Sequence, residues 1–193
     1  MALKFCRRNS EMTEEMKIAQ EKCIQAEKRA AGKLYCPGVF LEEMFWARDK
    51  CLELDNIPYA EFDRRVKLIH ELFGSVGKNV FVERGFKCEQ GKNIHVGDNF
   101  YCNFNCTIYD SYTVTIGNNV MIGPNVTICT ATHPVEKALR LDPNQSEYAK
   151  PLPNACRRAI LISSTCATIW NVTPWRRPAS PRIYILPTTD WNW

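Results

Sequence analysis

The sequence predicts a mainly β protein, a parallel β-helix with a helical cap in front of it. Three observations carry this. Val96, Cys102, Ile108, Val114, Val120 and Val126 each stand six residues after the last. A second apolar series, Val82, Cys88, Ile94, Phe100 and Cys106, keeps the same spacing. The phrase VGDNF at 96–100 returns as IGNNV at 116–120 and IGPNV at 122–126. A period of six fits neither an α-helix nor a hairpin sheet with a turn roughly every 8 to 12 residues. It is the mark of stacked hexapeptide coils.

The physics of such coils accounts for the residue types. Each flat strand turns a small or branched apolar side chain into one narrow core, so Val, Ile and Cys serve better than large aromatics. Each corner needs Gly, Asn or Asp, which tolerate unusual backbone angles. The 20-residue offset between the first two corner phrases, against multiples of six elsewhere, predicts a two-residue irregularity near Asp110 to Thr113.

Residues 1–75 read as helical. SEMTEEMKIAQEKCIQAEKRAAG is rich in Glu, Lys, Ala and Gln; Ser10 is placed to cap its start and Gly32 to end it. Its apolar stripe is thin: Met12, Met16, Ala19, Cys23 and Ala26. FLEEMFWARDKCLEL carries a stronger stripe at Leu41, Met44, Phe45, the stem of Arg48, Cys51 and Leu52. PYAEFDRRVKLIHELFG places Pro58 in a first turn and sets Phe62, Val66, Ile69 and Phe73 on one side. The helical repeat ends there and the six-residue repeat fills 76–131.

Residues 151–193 change character again. They contain no glycine, six of the eleven prolines, four of the five tryptophans, five arginines and one acid. Proline at this density excludes a long helix or a central strand. The segment is expected not to continue the repeat.

Composition narrows the function. The chain has 193 residues, 45% hydrophobic and 24% charged, with a formal charge of +4. That is a globular balance. No basic stripe or nucleic-acid module appears, so no nucleic acid is expected as partner. The ten cysteines are scattered, with no CxxC pair and no histidines at zinc spacing, so no metal is expected. The first residues lack an apolar signal core and no run of about 18 apolar residues occurs, so neither a secretory signal nor a membrane span is expected. A cytoplasmic protein with reduced thiols follows, its cysteines serving mostly as small core hydrophobes.

Several motifs together carry a resemblance. AAGKLY followed by helices, ELFGSVGKNVFVERGFKCEQGKNIHVGDNFYCNFNCTIYD, TVTIGNNVMIGPNVTICTATHPVEKALR and SEYAKPL resemble the maltose and galactoside O-acetyltransferases, which are hexapeptide-repeat acyltransferases. The likeness covers about 28–152. It implies a cap over 28–75, a left-handed β-helix over 76–150 and an active-site loop over 131–150. It also implies a homotrimer with sites between neighbouring subunits, acetyl-CoA as donor and a sugar hydroxyl as acceptor.

Carried over position by position, His133 in TATHP falls on the family's general base. It takes the proton of the acceptor hydroxyl as that oxygen attacks the thioester carbonyl. Imidazole suits the task because its ordinary pKa near 6.5 leaves it mostly neutral at pH 7. Transfer within a ternary complex needs no nucleophilic serine or cysteine. Asn103 matches an acceptor-contacting asparagine, with capping of its own corner as the alternative. Asp110 matches a carboxylate near the acceptor, with capping of the irregular corner as the alternative. Glu89 stands where relatives place a polar acceptor contact. Tyr101 lies beside the same pocket, and Glu147 matches a supporting loop glutamate. His95 and His70 are expected on the surface.

Two departures from the family pattern stand out. CPG at 36–38 replaces a segment in which relatives commonly carry an acidic residue. After Pro151 the chain lacks the IGxxVWIGG-type and GAGSVVTKDIP-type coils that build the coenzyme groove in relatives. No coenzyme-binding residue can therefore be assigned. The abruptness of the change points to a frameshifted, mis-spliced or disordered tail. It also supports an alternative function, that of a catalytically inactive relative acting at most as a binding or structural protein.

Overall fold

The computed structural model describes residues 13–142, 144, 146–150, 161–162 and 168–170. The cap comes first: helix α1 (Glu14–Ala30), a short 3-10 turn (Pro37–Phe40), helix α2 (Leu41–Asn56) and helix α3 (Phe62–Leu72). Thr13, not Ser10, caps α1, its hydroxyl accepting the Met16 N–H. Gly32, at φ +65°, ends it. Of the expected stripe on α1, Met16, Ala19 and Cys23 are exposed, Ala26 packs against the Tyr35 core, and Met12 lies outside the described residues; the one buried residue of α1 is Gln25.

The other two cap helices also bury faces rotated from those expected. Helix α2 buries Ala47, Cys51 and Leu54, while Leu41, Phe45 and Leu52 are exposed. Helix α3 begins at Phe62, beyond Pro58, and buries Arg65, Leu68, Ile69 and Leu72; Phe62 is exposed. The reason is Arg65, which is wholly buried. It donates to the carbonyls of Leu54 (2.8 Å), Ile57 (2.9 Å) and Val82 (3.0 Å). A guanidinium with three carbonyl acceptors can take a core position that hydrophobicity alone would deny it.

Nine short strands then build three faces of a prism. The first face stacks β1 (Ser75–Val76), β4 (Ile94–Val96) and β7 (Val114–Ile116). The second stacks β2 (Phe81–Val82), β5 (Tyr101–Cys102) and β8 (Met121–Ile122), and the third β3 (Lys87–Cys88), β6 (Thr107–Tyr109) and β9 (Thr127–Cys129). All pair in parallel, Ser75 with His95, Phe81 with Tyr101 and Lys87 with Thr107. Every coil is therefore twenty residues. The two extra residues expected near Asp110 to Thr113 recur one coil earlier, at 89–93, so the irregularity is a property of one corner of the prism.

The inward series holds throughout. Val82, Cys88, Ile94, Val96, Phe100, Cys102, Cys106, Ile108, Val114, Val120 and Val126 are buried and form one core with α2 and α3. Phe73 meets Phe86 edge-on at 5.5 Å, closing the first coil. The two tight corners are turned by asparagines in left-handed backbone, Asn79, Asn99, Asn119, Asn105 and Asn125, with φ between 55° and 59°. Asn79 donates to Asn99 (3.0 Å) and Asn99 to Asn119 (2.7 Å), so one corner carries a ladder of amides.

Beyond β9 the chain leaves the prism. β10 (Ala131–Thr132) and β11 (Tyr148–Ala149) pair antiparallel across a loop that includes the short helix α4 (Lys137–Arg140). Here the structure also departs from the expectation for the tail. β12 (Leu161–Ile162) stacks in parallel on β8, and β13 (Thr168–Trp170) on β9. Their backbones pair with the edge that β8 and β9 would otherwise leave open. The expected frameshifted or disordered character of 151–193 falls mostly outside the described residues.

Candidate active site

The wide corner builds the site. Gly91 turns it in the first coil at φ +73°, and a Cβ there would stand 2.6 Å from the Leu72 carbonyl, so only glycine fits. One coil up, Asp110 is fully buried and its Oδ1 accepts the N–H groups of Glu89 and Gln90, both at 2.9 Å. Asn93 donates to the Asp110 carbonyl at 2.7 Å. One coil further, Thr130 Oγ1 accepts the Tyr112 N–H (2.8 Å) and donates to the Tyr109 carbonyl (2.7 Å). Each rung's side chain thus satisfies backbone groups that the widening releases. Of the two roles open to Asp110, the observed contacts are those of a corner cap. Burial pushes its carboxyl above the ordinary range, and the backbone N–H groups oppose that.

The same corner gathers a polar cluster. Ser111 Oγ bridges Glu89 Oε2 and Glu147 Oε1, the latter at 3.2 Å. The Tyr35 hydroxyl also donates to Glu147 Oε1. Tyr35 and Glu147 pair their backbones as well, Tyr35 N–H to Glu147 carbonyl at 3.0 Å, which ties the cap to the loop. Tyr35, Phe40 and Ala149 form a small core beneath this junction. Glu89 is 9% exposed, and burial pushes its carboxyl up to about 7, with Glu147 and Asp110 adding to the rise and Ser111 opposing it. Burial and the neighbouring Glu147 hold the Tyr35 phenol protonated.

His133 stands at the rim of this cluster and is accessible, 48% of its side chain exposed. Its Nδ1 lies 2.8 Å from the Ser146 carbonyl oxygen. A carbonyl only accepts, so Nδ1 carries the proton and Nε2 presents its lone pair in the neutral ring. Nε2 is 4.0 Å from Glu147 Oε2, too far for a hydrogen bond.

The structure brings together Glu89, Asp110, Glu147 and His133. Asn103 and Tyr101 sit elsewhere in this chain. Asn103 lies at the tight corner between β5 and β6, and its Oδ1 accepts the Phe104 N–H at 2.8 Å. Tyr101 lies on the second face, stacked on Phe81 at 6.3 Å, with its hydroxyl donating to Glu83 at 3.1 Å. Ser111 and Tyr35 are site residues that the sequence reading did not single out. The signal for Ser111 was its place in the two-residue widening. His70 is exposed, and His95 contacts Ser75 Oγ on the first face.

Residues 28–77 match the maltose acetyltransferase hexapeptide capping motif. The maltose O-acetyltransferase of Clostridium difficile 630 is similar in structure, with a TM-score of 0.63 and 37% identity, over 66% of this chain and 68% of that one. The chain belongs to the maltose and galactoside O-acetyltransferase family. The family's left-handed sense of coiling goes with the three-faced prism described above. The galactoside O-acetyltransferase of Escherichia coli K12 is 43% identical over 129 residues, which are 65% of this chain and 62% of the relative. The chain therefore spans less than two thirds of that family member. A galactoside acetyltransferase solved in complex with coenzyme A matches with a TM-score of 0.60 and 41% identity, over 65% of this chain and 62% of that one. Among the described residues, no group of three or more His, Cys, Asp or Glu is placed to hold a metal ion. Among them also, no helix is long and apolar enough to cross a membrane.

Proposed function

We propose that this protein is an acetyl-CoA-dependent O-acetyltransferase acting on a sugar hydroxyl, with His133 as general base. One observation carries the reading: the Ser146 carbonyl fixes the His133 tautomer so that Nε2 is free to take a proton. The acceptor hydroxyl gives its proton to Nε2 as its oxygen attacks the acetyl carbonyl. The thiolate of coenzyme A leaves as the tetrahedral intermediate collapses, and the proton on His133 passes to it. Glu147, 4.0 Å from Nε2 and bonded to the Tyr35 hydroxyl, ties the loop that carries His133 to the cap. After Pro151 the chain lacks the motifs of the family's coenzyme-groove coils, so no coenzyme contact is assigned.

Asn103 and Tyr101 suit an acceptor site shared between copies. They lie on an edge and a face of the prism away from His133, and the family resemblance, which implies a homotrimer with sites between subunits, is what would bring those of one copy to the His133 of the next. Wild type and His133→Ala, each with acetyl-CoA and a panel of sugars, test the reading by coenzyme thiol release. Sugar-dependent release lost in the variant supports it. No release from folded wild type with any sugar overturns it.

A second reading is a relative without transferase activity. The glycine-free, proline-rich composition after residue 151 favours it. It predicts no binding of coenzyme A by calorimetry and no trimer by sizing chromatography. Translation of the coding DNA in the other two frames after Lys150 tests its frameshift origin, which fails if neither frame shows an IGxxVWIGG-like run.

A further inference from the structure

We infer that Glu89 holds a proton on the acid side of neutrality, and that this proton lets Ser111 bridge Glu89 to Glu147 and so fixes the loop that carries His133. The argument begins as a count of protons. The cluster shows three contacts: Ser111 Oγ with Glu89, Ser111 Oγ with Glu147, and Tyr35 hydroxyl with Glu147. Two hydroxyls supply two protons. Ser111 donates to one carboxyl only, so with both glutamates ionised one Ser111 contact sets lone pair against lone pair in a buried site. A third proton removes the conflict. It belongs on Glu89, because Glu147 already receives the Tyr35 hydroxyl and faces His133. The order is then Glu89 carboxyl to Ser111, Ser111 to Glu147, with Tyr35 also to Glu147.

The surroundings agree. Glu89 is faced by Glu147 from the loop, Asp110 from the corner above and Arg29 from α1, whose guanidinium donates to Gln90 at 3.0 Å. Cys129 of β9 and Tyr35 of the cap lie in its field. Arg48 of α2 and Lys87 of β3, the strand just before Glu89, line the same cleft. Burial holds Glu89 up to about 7, so it changes charge close to neutrality. Once it ionises, the buried Glu89 carboxylate, the nearer of the two partners, draws the single Ser111 proton to itself, and the Ser111 contact to Glu147 is lost. The Glu147 side of the cap-to-loop tie loosens, and with it Ser146, which anchors His133 Nδ1. Glu89 is a positioning residue in this scheme, and the acceptor-contact role suggested by resemblance is not needed to explain it.

The inference rests on His133 being the working group of this loop. Neither readout below uses coenzyme or sugar, so its failure and the failure of acetyl transfer are separable. Infrared spectra of the full chain with isotope-labelled glutamate should show a protonated carboxyl near pH 6 that vanishes above about pH 7 and is missing in Glu89→Gln. Amide exchange at Glu147 and Tyr148, corrected for intrinsic rate, should lose about tenfold protection between about pH 6 and pH 8, the worth of one hydrogen bond. In Glu89→Gln the side-chain amide donates to Ser111 at every pH, so protection should stay flat. Ser111→Ala, which cuts the link without touching either glutamate, should also abolish the pH dependence. A missing carboxyl band near pH 6, or a fall in protection that persists in both variants, overturns the inference.

Discussion

His133 Nδ1 and the Ser146 carbonyl oxygen lie 2.8 Å apart, thirteen residues apart in sequence and on opposite sides of the loop between β10 and β11. This one contact decides which ring nitrogen can act. Substitution of His133 by Ala should lower kcat by about 10²- to 10⁴-fold, the usual worth of a positioned base. KM for the sugar should change much less. The ring is half exposed and supports little of the core, so circular dichroism and Tm should stay near wild type.

Glu89 makes stability depend on pH in a stated direction. Its carboxyl is raised in the folded chain, from an ordinary 4.5 to about 7. The folded state therefore binds more protons than the unfolded state between those values, and stability falls as pH rises through that window. The difference corresponds to about 3 kcal/mol. Denaturant melts of wild type should lose stability between about pH 4.5 and 7, and Glu89→Gln should lose less.

The Tyr35 hydroxyl joins the cap to the loop through Glu147. Tyr35→Phe keeps the buried ring and removes one hydrogen bond to a charged group, so it should cost about 1 to 3 kcal/mol in urea unfolding. The His133 ring resonances should shift as well, since Glu147 is their neighbour.

Arg65 is a test of the cap. It is fully buried, with three carbonyl acceptors from α2, the α2–α3 turn and β2. Arg65→Ala should cost about 3 to 5 kcal/mol, since the carbonyls lose their donor and a cavity opens. Arg65→Lys should recover only part, because an ammonium cannot span the same fork. Thermal unfolding reads both.

At the tight corner, Asn99 combines a φ of 55° with two amide contacts in the ladder. Asn99→Ala should destabilise by about 1 to 2 kcal/mol, from left-handed strain and lost ladder bonds. Asn99→Gly should cost less, because it removes the strain and only the ladder is lost.

The coils were legible because their side chains alternate between a shared interior and water. Val96, Ile108 and Val126 announce inward positions wherever the period holds. The cap helices were legible as helices and misread as faces, since Arg65 is buried while Phe45 and Leu52 are exposed. Hydrophobicity cannot anticipate a guanidinium held by three carbonyls. At the site, His133 and Glu147 were readable from TATHP and SEYAKPL. Ser111 and Tyr35 were not, because an isolated hydroxyl carries no sign of its partner. Tyr35 meets Glu147 across 112 residues, and Ser111 meets Glu89 only once the coils stack.

The twenty-residue coil sets a rule for length. A duplicated segment of twenty residues within the prism adds one rung, about 4.8 Å of height, and returns every later side chain to its own face. An insertion that is neither a whole number of turns nor looped out at a corner, as the β10–β11 excursion is, advances the later chain around the prism and carries His133 off the edge where Glu147 and Ser111 wait. The stack itself therefore lengthens only by whole turns, and other additions must leave it as loops.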